Sequence, residues 1–162
     1  IYSSDWISER NKNLQFYSKD SVGFHLNRAI YFNTIFVDNQ EEYRGLQNSG
    51  LIELIENESI VINLQQKYIV HEFFKKIENL IMERGLNLND FAIRNLKYKS
   101  YKTDNLGLSF DRVYIGKQNI PDYIIESLKD KRTYHNFYIK RIESRVKKDI
   151  YLVELIKNEI NG

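Results

Sequence analysis

The scarcity of helix-breaking residues is the strongest constraint on how this chain can fold. One proline and seven glycines are spread over 162 residues. Between them, long windows repeat apolar residues every three or four positions, which is typical of amphipathic helices. Helices with one apolar face must bury it against one another. The sequence therefore predicts an all-α fold: an antiparallel helical bundle of about four main helices plus short ones, as a single domain over residues 1–162.

Two windows carry the clearest helical periodicity. The first follows Asn57 and Ser59, either of which can cap a helix, and its apolar stripe comprises Ile60, Leu64, Tyr68, His71, Phe74, Ile77 and Ile81. The second closes the chain, and its stripe comprises Tyr134, Tyr138, Ile142, Val146, Ile150, Val153, Ile156 and Ile160. Residues 97–118 have no clean period and suit either a loop or a small hairpin; we favour an irregular loop.

A compact helix, stop, helix passage lies between Glu41 and Tyr68. Asp38 and Glu41 have the spacing of a capping box, and Gly50 suits the left-handed residue that closes a helix. We interpret the passage as a structural corner, with helix core contacts before the glycine and apolar residues that fill the end of the bundle after it. The corner residues are Tyr43, Leu46, Gly50, Leu54, Ile55 and Asn57.

Catalytic and metal-binding patterns are missing from the sequence. The chain has no cysteine, which excludes disulfides, zinc-thiolate sites and cysteine nucleophiles. None of His25, His71 and His135 has a partner at metal-ligand spacing, and no glycine-rich phosphate loop or nucleophile elbow occurs. His71 falls on an apolar stripe, where a core histidine is the simpler interpretation. We expect no catalytic residue, no metal and no cofactor.

Positive charge is concentrated near the end of the chain. The net charge is only +2, but residues 129–149 contain eight basic and three acidic residues. Such a cluster can bind nucleic acid or anionic lipid headgroups, or it can be the solvated face of a helix. The solvated face is the favoured interpretation. The residues that would form a basic binding face are Lys140, Arg141, Arg145 and Lys148.

Two segments resemble a family of small bacterial single-span membrane proteins of unknown function. Residues 6–12, WISERNK, resemble the W-x-x-E-R-x-K segment that follows the membrane span in that family. Residues 43–57 are similar to its most distinctive stretch, Y-x-x-L-x-x-S-G-x-x-x-L-I-x-N, which is followed later by a tyrosine, here Tyr68. The closing helix also fits the family pattern.

The resemblance implies a location and a kind of function. It implies that a transmembrane anchor precedes Ile1 and that this domain lies on the extracytoplasmic, periplasmic side of a bacterial membrane. Trp6 and Arg10 would then lie near the membrane interface, although a core position for Trp6 is an equal alternative. The expected function is non-enzymatic sensing or interaction with an unknown protein or small ligand. The alternative is a cytoplasmic nucleic-acid-associated or defence-type protein that uses the basic face.

Overall fold

A computed structural model describes residues 1–33, 41–104, 107–116 and 119–161. The fold is helical apart from one two-stranded sheet, which confirms the predicted all-α class. The helices are α1 (Tyr2–Arg10), α2 (Lys19–Tyr31), α3 (Glu41–Asn48), α4 (Glu58–Leu86), α5 (Asn89–Asn95) and α6 (Asp122–Asn161), with 3-10 helices at Asn11–Phe16 and Leu51–Leu54. The chain divides into a first unit, residues 1–34 and 79–136, and a second unit, residues 35–78 and 137–162.

The first unit has an apolar core built by α1, α2, α5 and the start of α6. Ser18 begins α2 by accepting a hydrogen bond from the Ser21 N–H at 3.1 Å, a typical N-cap. The buried amide of Asn11 both donates to and accepts from the backbone of Ile120, each at 2.8 Å, and so fixes the segment before α6. The core residues are Trp6, Ile7, Leu14, Val22, Leu26, Ala29, Ile30, Leu88, Phe91, Ala92, Leu96, Tyr114, Ile120, Ile124, Ile125 and Leu128.

A β-hairpin occupies the region where a loop was favoured, so that preference is wrong. Strand β1 (Leu96–Asp104) pairs antiparallel with β2 (Gly107–Tyr114). The register shifts between Tyr98 and Ser100, and such a bulge breaks the two-residue alternation that signals a strand in sequence. Helix α2 packs directly on β2 at Gly23, which has no side chain. A Cβ at this position would collide with the backbone carbonyl of Arg112.

In the second unit, α4 and α6 run antiparallel. Asn57 donates a hydrogen bond to Glu159 at 2.9 Å, and Lys67 lies 3.9 Å from Asp149. The two pairs differ by ten residues forward on α4 and ten residues back on α6, as an antiparallel pair requires. Five of the seven residues predicted for the α4 stripe are buried, namely Ile60, His71, Phe74, Ile77 and Ile81. The periodicity therefore identified the packed face of α4 correctly.

The packed face of α6 differs from the predicted stripe. Its buried positions in the second unit are Tyr138, Arg145 and Leu152, which are seven residues apart. By contrast Val146, Ile150, Val153 and Ile160 are exposed. Each four-residue step overshoots a full helical turn by about 40°, because a residue turns the helix by about 100°. Three such steps lead from Tyr138 to Ile150, which therefore lies about 120° around the helix from the packed face.

The corner before α4 is formed as predicted at its glycine and its cap. Gly50 has φ 72°, the left-handed conformation, and the Asn57 side chain accepts from the Ser59 N–H at 3.1 Å. Tyr43 is buried, but Leu46 is exposed and Leu54 is 74 % exposed. The prediction that Leu46 is a core contact is therefore wrong. The prediction that Leu54 fills the end of the bundle is also wrong, because the 3-10 turn at Leu51–Leu54 has no buried residue. Asp38 lies outside the described residues.

Candidate binding site

A pocket of about 400 Å³ opens in the second unit and is lined by residues of α3 and α4. Its aromatic wall consists of Tyr43 from α3 and Tyr68 from α4. Their ring centroids lie 3.6 Å apart and their planes differ by 7°, so the two rings are stacked. The other lining residues are Arg44, Gln47, Gln65, Ile69 and Glu72.

Neighbouring groups hold the two tyrosines in place. Gln47 lies one helical turn after Tyr43, and its Nε2 donates a hydrogen bond to the Tyr43 hydroxyl at 3.0 Å. Burial raises the pKa of Tyr43, so this hydroxyl keeps its proton at neutral pH. On the other side, the buried His71 packs edge-on against Tyr68, with ring centroids 5.7 Å apart. The aromatic wall is therefore a preformed surface with a polar edge.

The rim of the pocket is polar and carries both signs of charge. Arg44 supplies a guanidinium, Glu72 a carboxylate, and Gln47 and Gln65 supply amides that can donate and accept. A few placed polar groups beside an apolar wall are the usual composition of a small-ligand site. The arrangement suits a small flat ligand, or a peptide side chain, with complementary polar groups. Among the described residues, no three histidines or carboxylates are grouped so that they could hold a metal ion.

The sequence pointed to this region without identifying the pocket. The motif-like segment contained Tyr43 and Tyr68, and the structure brings these two into direct contact. It does not bring Gly50, Leu54 or Asn57 to the pocket lining, and the same holds for Leu46 and Ile55. Residues such as Arg44 and Glu72 were missed, because only the pairing of α3 with α4 places them together. The i, i+4 spacing of Tyr43 with Gln47 was the available signal.

Trp6 lies in the core of the first unit. Its indole stacks on His25, with ring centroids 4.2 Å apart and planes 13° apart, and the Tyr17 ring packs edge-on at 5.1 Å. The Arg10 guanidinium lies 5.2 Å from the Trp6 ring centroid. Trp6 is buried in this core, as the core alternative describes. A place for Trp6 and Arg10 near the membrane interface stays a prediction.

The predicted basic face on α6 loses one member. Arg145 is buried on the packed face, and its Nε donates to Asp149 at 3.0 Å. Lys140, Arg141 and Lys148 are exposed, with the Arg141 guanidinium 5.0 Å from the Phe137 ring centroid. Arg145 was misassigned because the packed positions repeat every seven residues rather than following the predicted stripe. Three of the four residues predicted for the basic face are therefore exposed.

A buried lysine in the first unit was not anticipated. Lys131 is 1 % exposed, and its Nζ donates to the carbonyl oxygen of Ala29 at 3.0 Å and to that of Ile30. These carbonyls belong to the last turn of α2, where a cation complements the helix dipole. Burial lowers the pKa of Lys131 to about 8. Burial, with Lys131 as the next cause, lowers the pKa of His135 to about 4, so the neighbouring imidazole is neutral at pH 7.

The chain gives no match when it is compared with protein-family models, curated proteins and solved structures. Within the described ranges, no helix combines the length and the apolar character needed to cross a bilayer.

Proposed function

We propose that this chain is a non-enzymatic sensing or interaction domain of a membrane-anchored bacterial protein, and that it works on the extracytoplasmic side of the membrane. The pocket walled by Tyr43 and Tyr68 is the observation that carries the binding part of the proposal. Its bound partner is a small polar ligand or a peptide side chain. The membrane attachment rests on the resemblance of residues 6–12 and 43–68 to the single-span family.

The chemistry of the pocket favours recognition. The stacked rings cover each other's inner faces and Tyr43 is buried, so a ligand meets this apolar wall at the half-buried Tyr68. The Tyr43 hydroxyl, held by Gln47, gives the wall a polar edge. Arg44 and Glu72 place opposite charges at the rim, where the Glu72 carboxylate also lies 3.6 Å from the Lys75 Nζ. The nucleic-acid alternative, which uses the basic residues Lys140, Arg141 and Lys148, stays a prediction.

Fractionation of the full-length gene product tests the location. The protein is expected in the membrane fraction and should resist extraction by carbonate. In spheroplasts, protease added from outside is expected to degrade this domain while a cytoplasmic control protein survives. Recovery of the full-length protein in the cytosolic fraction, or protection of the domain until the cells are lysed, would refute the location.

Ligand-observed NMR tests the pocket. The probes are tyrosine, phenylalanine and short peptides that carry an aromatic residue with free termini. Saturation transfer to at least one probe is expected for the native chain. The transfer should be lost in Tyr68→Leu and kept in Tyr123→Leu, which removes an exposed tyrosine that does not line the pocket. Equal transfer in both variants would show that the signal does not come from this site.

A further inference from the structure

Helix α6 has a second apolar stripe, which the described part of the chain leaves exposed. It lies on the C-terminal part of the helix, within the second unit, and beside the face that packs on α4. Its members are Ile139, Val146, Ile150, Val153 and Ile160. These are aliphatic residues on a regular helix, and exposed apolar stripes of this length commonly mark interaction surfaces.

The spacing of the stripe is that of a coiled-coil seam. Alternating steps of four and three residues lead from Ile139 to Ile160 through seven positions, which span three heptads and about 33 Å of helix. Five of the seven positions are the apolar residues of the stripe. The other two are Glu143 and Lys157, which lie symmetrically on either side of Ile150. The seam is thus apolar except for one acid and one base at equal distances from its centre.

We propose that this seam is the interface of a homodimer in which two copies of α6 pack antiparallel, with the two-fold axis beside Ile150. In this arrangement Ile139 lies near Ile160 of the second copy, and Val146 lies near Val153 of the second copy. Glu143 then meets Lys157 of the second copy, and the symmetry forms this pair twice. The interface is self-complementary, because apolar residues meet apolar residues and each glutamate meets a lysine.

The charge pattern selects the antiparallel orientation. Lys147 and Glu154 flank the seam three residues before and four residues after Ile150, so each of them lies near its opposite charge in the second copy. In a parallel pair, Glu143 would face Glu143 and Lys157 would face Lys157, which is repulsive at both positions. All four charged side chains are exposed, and none of them forms an ion pair within the described residues.

A lipid surface fits this face less well than a second copy does. Helices that bind anionic membranes flank their apolar stripe with lysine and arginine. Here the charged residues on or beside the stripe are Lys140, Glu143, Lys147, Glu154 and Lys157, so a headgroup layer would repel the two acidic ones. A second antiparallel copy places a lysine near each of these two glutamates.

Sedimentation velocity of the whole chain tests the dimer. The chain is expected to reach twice the mass of the monomer at a protein concentration of about 100 μM or below, which corresponds to a weak but specific dimer. Val146→Glu is expected to weaken the dimer at least tenfold. Ile62→Glu on α4 is the matched control, because both residues are 50 % exposed aliphatic residues of helices in the same unit, and it should leave the dimer unchanged. Circular dichroism verifies that both variants keep their helix content.

Charge reversal and cross-linking test the orientation. Glu143→Lys alone should weaken the dimer, and adding Lys157→Glu in the same chain should restore it. Because the chain has no cysteine, Ile150→Cys should form a disulfide between copies. Glu143→Cys should not, since the two copies of residue 143 would be about 21 Å apart along the axis. A mixture of Glu143→Cys and Lys157→Cys chains should cross-link to each other.

A native chain that stays monomeric at 100 μM overturns the proposal. Efficient cross-linking of Glu143→Cys to itself overturns the antiparallel arrangement, since it indicates a parallel pair. Dimer formation that Val146→Glu leaves unchanged places the interface elsewhere. Binding to vesicles of phosphatidylglycerol and phosphatidylethanolamine that Val146→Glu abolishes, with no dimer in solution, assigns the stripe to a lipid surface instead.

Discussion

Raising the pH from 8 to 9.5 is expected to stabilise this protein, and the reason is the burial of Lys131. In the folded chain its pKa is lowered from 10.5 to about 8. Between these two values the unfolded chain binds the lysine proton and the folded chain does not, so stability rises with pH. The linkage relation gives up to about 1.4 kcal/mol per pH unit, and about 1.5 kcal/mol over this window. The gain is complete only above pH 10.5, and the full cost of the buried charge applies below pH 8.

Guanidinium unfolding followed by circular dichroism at several pH values measures the effect. The window starts at pH 8 because this is about the pKa at which Lys131 of the folded chain releases its proton. It ends at pH 9.5 because burial raises the pKa values of Tyr43, Tyr114 and Tyr138, and tyrosine titration in the unfolded chain opposes the gain at higher pH. Lys131→Met should remove the rise. Parallel pH profiles for the native and variant chains would refute the reasoning.

Substitutions at Gly50, Gly23 and Asn57, with matched comparison variants, test the local structure by urea unfolding. Gly50→Ala should destabilise the chain by about 1 kcal/mol, because φ is 72° there, whereas Gly45→Ala inside α3 should be neutral or stabilising, since nothing lies near its Cβ. A loss at residue 45 equal to that at residue 50 would contradict the left-handed assignment. Gly23→Ala should cost more than either, because the new methyl group meets the β2 backbone; a near-native midpoint would show that α2 can shift. Asn57→Ala should cost about 1 kcal/mol through the lost cap of α4, and Asn57→Ser should recover part of it, because serine restores the cap without placing a second carboxylate beside Glu159.

Local signals were sufficient wherever a single element determines the outcome. The α4 stripe was predictable because Ile60, Phe74 and Ile81 repeat at helical spacing and face one partner. Gly50 was predictable because a left-handed residue after a helix favours glycine whatever surrounds it. The pocket was not predictable, since Tyr43 and Tyr68 stack only after α3 folds back on α4. Lys131 was also missed, because a lysine inside a core depends on two carbonyls about 100 residues away.

The error on α6 is informative, because the predicted stripe combined two different faces. Ile142 and Ile156 are half-buried and alternate with Tyr138 and Leu152 along the packed seam, whereas Val146 belongs to the exposed stripe. A helix that packs on one partner needs one seam, and a sequence with apolar residues on two adjacent seams has more apolar surface than one partner covers. Apolar residues that follow one another mostly at four-residue spacing move around the helix. Such a pattern can therefore be interpreted as two heptad seams side by side. In this chain the second seam has matching charges for a second copy, so the excess apolar surface itself argues for assembly.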